Sequence, residues 1–316
     1  MNRLLVRAGL CVAVLLGLLS CAQPRPSGEM RIATGGNGGV YFAYGQGLAK
    51  AVREHLPGLR PEVLETAASL DNLRRVSSGE AEMAFSLADS VALAVSGEPP
   101  FDSPQPVRTL ARLYENYVHL VVAADTDIHS LADLRGHAVS TGAAGSGTEV
   151  IVERLLEVSG VDSGQGHVDR HQLDLDTSVR ALKAGRVSAF FFSSGLPARA
   201  IRDLARTHPI RLVDLADQVG PMRDRYGELY SERSIPRSMY GLPATATIGV
   251  PNYLIVHRDM DEQLAYELTR LLFVARDELA DAHREARRLN KRAAFSTYPA
   301  ALHPGAVRYY RQARKP

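Results

Sequence analysis

Two glycine-rich turns constrain this chain more than any other feature. Thr34-Gly-Gly-Asn-Gly-Gly-Val-Tyr41 and Thr141-Gly-Ala-Ala-Gly-Ser-Gly-Thr148 each follow a short apolar run and open a segment with helical periodicity. A strand that passes through glycines straight into a helix is the start of a βα unit. The first turn lies between a strand at Met30–Thr34 and a helix at Tyr41–His55, whose Tyr44, Leu48 and Val52 share one face. A strand at Pro61–Thr66, a helix at Ser69–Ser78 with Ser69 as N-cap and Gly79 past its end, and a strand at Ala81–Leu87 complete the first run. Two strands follow, Val107–Tyr114 and His119–Ala124. A second run holds a helical turn at Ser130–Gly136, strands at His137–Thr141 and Ser188–Ser193, and helices at Thr148–Ser159 and Thr177–Ala184. Thr247–His257 reads as a long strand and Asp261–Ala280 as one long helix. The pattern predicts an α/β protein of two similar lobes joined by crossing strands.

Length and charge narrow the classes. The 316 residues suit two domains of ordinary size. Two cysteines exclude a disulfide scaffold and a cysteine-rich zinc module. There are 37 basic and 35 acidic residues. Arg3 and Arg7 are the only charges in residues 1–20, so the remainder is formally neutral. No polybasic surface for nucleic acid or membrane is expected.

Arg3 and Arg7 precede 12 apolar or small residues, Ala8–Leu19. A bilayer span needs about 20, so this run fits the core of a signal peptide. Leu18-Leu-Ser-Cys21 is similar to a bacterial lipobox, in which the cysteine is diacylated after cleavage. Cys21 is thus the expected site of lipidation and membrane anchoring. Residues 21–29 read as a tether.

Both glycine turns can offer backbone N–H groups and a helix N-terminus to an anion. The first lacks the last glycine and the acidic partner of a dinucleotide site, and the second lacks the lysine of a P-loop. Each also reads as a tight connection or cap without a guest. His167 and His171, with Asp169 and Asp174, have a spacing that a metal would accept, but read as a solvated polar face. No Gly-x-Ser-x-Gly or His-Glu-x-x-His motif is present. No cofactor, metal or enzymatic activity is expected.

Taken together, these motifs resemble the TAXI-type solute-binding proteins of tripartite ATP-independent periplasmic (TRAP) transporters. The resemblance runs from about Met30 to Tyr310. It rests on Thr34–Tyr41, Ser69-Leu-Asp-Asn-Leu73 with Ser78-Gly-Glu-Ala81, Ser130–Gly136, Gly145-Ser-Gly-Thr-Glu149, Ala189–Phe192 with Gly195-Leu-Pro197, Leu302–Ala306 and Tyr309-Tyr310. It implies a two-lobed periplasmic-binding-protein fold (type II-like) with the ligand in the cleft. Lobe I would comprise residues 30–125 and 244–316, and lobe II residues 126–243. Implied ligands are small organic acids or amino acids, such as glutamate, glutamine and 2-oxoglutarate. Implied ligand-binding positions are Thr34, Gly36, Gly38, Gly39, Tyr41, Asn72, Asp89, Gly145, Ser146, Gly147 and Thr148. Asn72 also reads as a group that only satisfies backbone in the cleft wall, and Asp89 as a cap for the following helix. Leu87-Ala88 stands where the family has a Gln-Ser pair, and Ala67-Ala68 where it commonly has Gly-Gly. These changes imply a ligand with fewer polar groups. The partner would be a TRAP permease or, alternatively, a membrane sensor kinase that reads the bound state.

Overall fold

A computed structural model describes residues 26–162 and 166–313. The signal segment and Cys21 lie outside the described residues. The first half is built from β1 (Gly28–Ala33), helix α1 (Val40–His55), β2 (Leu59–Leu64), α2 (Ser69–Ser78), β3 (Met83–Leu87) and α3 (Ala88–Ser96). β1 pairs in parallel with β2 and β3. The chain then crosses through β4 (Val107–Ala123). The second half contains β5 (Ala138–Ser140), α4 (Gly147–Ser159), β6 (Asp169–His171), α5 (Leu175–Lys183), β7 (Ala189–Ser194), α6 (Arg199–Thr207), β8 (Ile210–Leu212), α7 (Val219–Tyr226) and β9 (Ser231–Ile235). The chain returns through β10 (Thr245–His257) and ends in α8 (Glu262–Val274), α9 (Arg276–Ala282) and α10 (Pro304–Gln312). The strand order is β2-β1-β3-β10-β4-β7-β5-β6, with β8 on β4 and β9 on β10.

Each half carries helices on both faces of its strands. In the first, α1, α8 and α9 bury Tyr44, Leu48, Leu268 and Leu279 on one face. Leu70, Leu73 and Val91 of α2 and α3 cover the other. In the second, α4 and α7 bury Ile151, Leu155 and Met222, opposite Leu182, Ile201 and Leu204 of α5 and α6. Among the described residues no helix is long and apolar enough to cross a membrane.

Two expectations need correction. The predicted strands at Val107–Tyr114 and His119–Ala124 are one 17-residue strand. Glu115 and Asn116 interrupt the apolar run without interrupting the ladder, because both side chains find partners. Glu115 pairs with Arg112, and Asn116 accepts from Asn252 Nδ2 (2.7 Å). The first part of β4 pairs with β10 and its last part with β7, so one strand serves both halves. The helix expected at Asp261–Ala280 is two helices, α8 and α9, which break at Ala275.

Candidate functional site

A cavity of about 390 Å³ lies where the two glycine turns face each other. The first turn contributes Gly36, Gly38, Gly39 and Tyr41, with Ala67, Ala68, Ser69 and Leu87 behind them. Ser146, Gly147 and Thr148 contribute from the second turn, with Leu173, Leu175, Phe192 and Ser193. Asn116, on the shared strand β4, forms part of the wall between them. Helix α1 begins after Gly39, which supplies no side-chain cap, and α4 begins after Ser146. The first-turn N–H groups of a helix have no partner within it, so both helices bring unspent donors to the cavity.

Four of the expected positions stand off the cavity. Thr34 is buried and donates its hydroxyl to the Leu64 carbonyl (2.7 Å). The Asn72 amide donates to the carbonyls of Thr34 (2.6 Å) and Phe85 (2.7 Å), clamping β1 to β3. Asp89 accepts from the Ser90 N–H (2.7 Å) in the first turn of α3. Gly145 sits with its carbonyl accepting from the N–H groups of Leu70 (3.1 Å) and Asp71 (3.2 Å). That loop of the second half therefore closes the N-terminus of α2 in the first. Ser69, expected as an N-cap, is the first helical residue, and its hydroxyl accepts from Leu87 N–H.

The polar wall has a direction. Tyr41 donates to Asn252 Oδ1, Asn252 donates to Asn116, and Asn116 donates to Ser193 Oγ (3.3 Å). The Ser193 N–H donates to Thr148 Oγ1 (3.0 Å), and Glu149 N–H donates to Ser146 Oγ (3.1 Å). The hydroxyls of Ser146, Thr148 and Ser193 each accept one bond and donate none among the described residues. What they offer a guest is hydrogen, as the two helix N-termini do. Asn116, Ser193 and Asn252 escaped the sequence reading because small polar residues within strands carry no distinguishing pattern. Burial pushes the Tyr41 phenol well above its ordinary pKa, so it stays a neutral donor.

Of the positions where the resemblance implies other residues, Ala67, Ala68 and Leu87 line the cavity and Ala88 does not. Leu87 presents an isobutyl group where the resemblance implies an amide. Ala68 is held at φ 80°, ψ −136°, a region that L side chains rarely enter. Such a residue stores about 1–3 kcal/mol. Ala68→Gly is expected to stabilise the fold by about 1 kcal/mol after the extra freedom of glycine in the unfolded chain is subtracted. Urea denaturation would show a higher midpoint at unchanged slope.

Gly147 marks how tightly the two walls meet. A Cβ there would stand 2.6 Å from Ser69 Oγ and 2.6 Å from Leu87 Cδ1. Gly147→Ala is expected to cost about 1–3 kcal/mol by overpacking. At the start of a free helix the same change would be favourable. A rise in the denaturation midpoint would therefore mean that the walls do not touch in solution.

Among the described residues His167, His171, Asp169 and Asp174 form no metal-competent group. His171 pairs with Asp169 (3.1 Å), while Asp174 caps α5. The one group of three metal-competent side chains among the described residues is Glu54, His55 and Glu278, at the surface and at the end of α1 away from the cavity.

The NMT1-like family profile matches residues 32–313. The chain belongs to the NMT1-like family. Among solved structures it is similar to the periplasmic aliphatic sulphonate-binding protein SsuA from Escherichia coli. That match has 16% identity and a TM-score of 0.52, covering 92% of this chain and 84% of the other. An ancestral arginine-binding protein bound to arginine matches at 16% identity and TM-score 0.53, covering 82% and 97%. A structure from work on glutathione import via GshT and the cystine importer TcyBC of Streptococcus mutans matches at 15% and 0.52, covering 84% and 95%. These likenesses establish the two-lobed periplasmic-binding-protein fold for this NMT1-like chain. Its cavity lies between the halves that the crossing strands join.

Proposed function

We propose that this protein is an extracytoplasmic solute-binding protein. It captures a small carboxylate-bearing molecule between its lobes and delivers it to a TRAP permease. Residues 30–125 with 244–316 would form lobe I and residues 126–243 lobe II. The observation that carries the reading is the convergence of two helix N-termini with the donating hydroxyls of Ser146, Thr148 and Ser193. Such a site suits oxygen acceptors that bear negative charge. Gly36, Gly38, Gly39, Tyr41, Gly147 and Thr148 would touch the ligand. Thr34, Asn72, Asp89 and Gly145 would act behind them by holding the walls. The likeness to periplasmic binding proteins supports binding without covalent chemistry. The NMT1-like assignment and the likeness to periplasmic binding proteins support an extracytoplasmic place. The Leu18–Cys21 sequence supports an anchor through a lipid on Cys21.

A thermal-shift screen of the purified protein against small carboxylates and amino acids tests this. A ligand at a hundred times its Kd adds about 2.7 kcal/mol. For a chain of this size that raises Tm by roughly 4–5 °C. A folded protein that answers to no glutamate, glutamine, dicarboxylate, oxo acid or apolar amino acid would overturn the carboxylate reading.

A further inference from the structure

We infer that the ligand carries an ammonium group beside its carboxylate and an apolar side chain, and that Asp176 selects for the ammonium. This rests on the capture reading above. Three carboxylates border the cavity and no basic side chain lines it. Two of the three are already engaged. Glu65 accepts from the Asn37 N–H (3.0 Å), and Asp174 accepts from the N–H (2.7 Å) and hydroxyl (3.1 Å) of Thr177. Asp176, exposed at the rim of the cavity in the first turn of α5, makes no hydrogen bond or ion pair with any described residue.

Its position is specific. A Cβ on Gly38 would lie 3.2 Å from Asp176 Oδ1, so this carboxylate faces the turn that leads into α1. It also borders the outer groove, where Arg199 and Arg202 lie near Asp203 (3.7 and 3.8 Å) and Arg284 near Met239 Sδ (3.9 Å), so none of the three pairs with it. A guest carboxylate seated at the α4 N-terminus and the Ser146, Thr148 and Ser193 hydroxyls thus has an unpaired acid across the cavity, beside the α1 turn. A second carboxylate on the guest would meet like charge with no lining cation to offset it. An ammonium would complete the pair. Leu87, Leu173, Leu175 and Phe192 leave apolar surface for the rest of the molecule.

Calorimetric titration of the purified protein compares leucine, phenylalanine and glutamate with their matching 2-oxo acids and with succinate. Leucine or phenylalanine is expected to bind at least about tenfold more tightly than its oxo acid, the usual effect of one charge-assisted hydrogen bond. Asp176→Asn is expected to remove that preference, weakening the amino acid while sparing the oxo acid. Oxo acids that bind the wild type as tightly as amino acids, or succinate or glutamate as the tightest ligand, would overturn the inference and leave carboxylate capture standing. So would equal weakening of both series by Asp176→Asn, which would mark a merely structural role. Binding by no member of any series would overturn the capture reading and this inference with it.

Discussion

Asp89→Ala is expected to lower the thermal midpoint by about 5–8 °C. Asp89 is fully buried at the start of α3, in the first half of the molecule. Its Oδ2 accepts from the hydroxyl of Tyr230 (3.0 Å), whose oxygen accepts from Arg154 Nη1 on α4 (2.8 Å). The three side chains tie the halves together through a buried acid, a phenol and a guanidinium. Burial pushes the Asp89 carboxyl above its ordinary pKa, and Arg154, Tyr230 and Ser90 pull it back. Removing Asp89 leaves the buried Tyr230 hydroxyl without an acceptor and takes a counter-charge from half-buried Arg154, at about 3–4 kcal/mol. At roughly 1.5–2 °C per kcal/mol for a chain of this size, the midpoint moves by the stated amount. Asp89→Asn keeps an acceptor for Tyr230 and removes only the charge, which burial makes unfavourable, so it is expected to lose less than about 1 kcal/mol. A change below about 1 kcal/mol for the alanine variant, measured by urea denaturation, would mean that Arg154 finds its energy elsewhere.

Acid is the second large lever. His119 is buried on β4, with Nδ1 3.1 Å from the Phe192 carbonyl and Nε2 2.9 Å from the Tyr240 hydroxyl. A carbonyl can only accept, so we assign the proton to Nδ1, and Nε2 accepts from Tyr240. Burial depresses the pKa of the imidazole to about 4. The unfolded chain takes up this proton near 6.5, and the folded chain only near 4. Stability is therefore present above pH 6.5 and drains away as pH falls toward 4, by about 3 kcal/mol in all. His119→Gln retains hydrogen bonding and cannot take up the proton. The difference between wild-type and variant stability is expected to slope across pH 6.5 to 4 and to be flat above it. Parallel pH profiles for the two proteins would refute the assignment.

The parts that were legible in the sequence are those the backbone dictates. Helix α2 spans Ser69–Ser78 as its periodicity requires, and Gly79 beyond it takes the left-handed conformation (φ 79°). The two glycine turns announced themselves because close approach demands glycine, and both do line the cavity. Ala68 shows the same rule by violation, since its φ belongs to the Gly-Gly that the family resemblance leads one to expect. The fate of Asn72 was not legible. An amide near a cleft can serve a ligand or a backbone with equal chemistry, and only the positions of Thr34 and Phe85 decide between them. Asn116 was hidden for a further reason. Its place in the wall depends on Ser193 and Asn252, 77 and 136 residues away in the chain.

The threading of β10 has a consequence for how the chain can acquire its shape. β10 lies between β3 and β4, pairing Leu254 with Phe85 and with Ala111. A chain that emerges N-terminus first from a ribosome or a translocation pore cannot complete its first half until residues 245–257 have followed. Until then the facing edges of β3 and β4 lack the strand that separates them, and contacts of such long sequence separation form slowly. The growing chain is thus kept from premature closure by its own topology, which leaves it threadable and, for the same interval, dependent on whatever shields exposed strand edges.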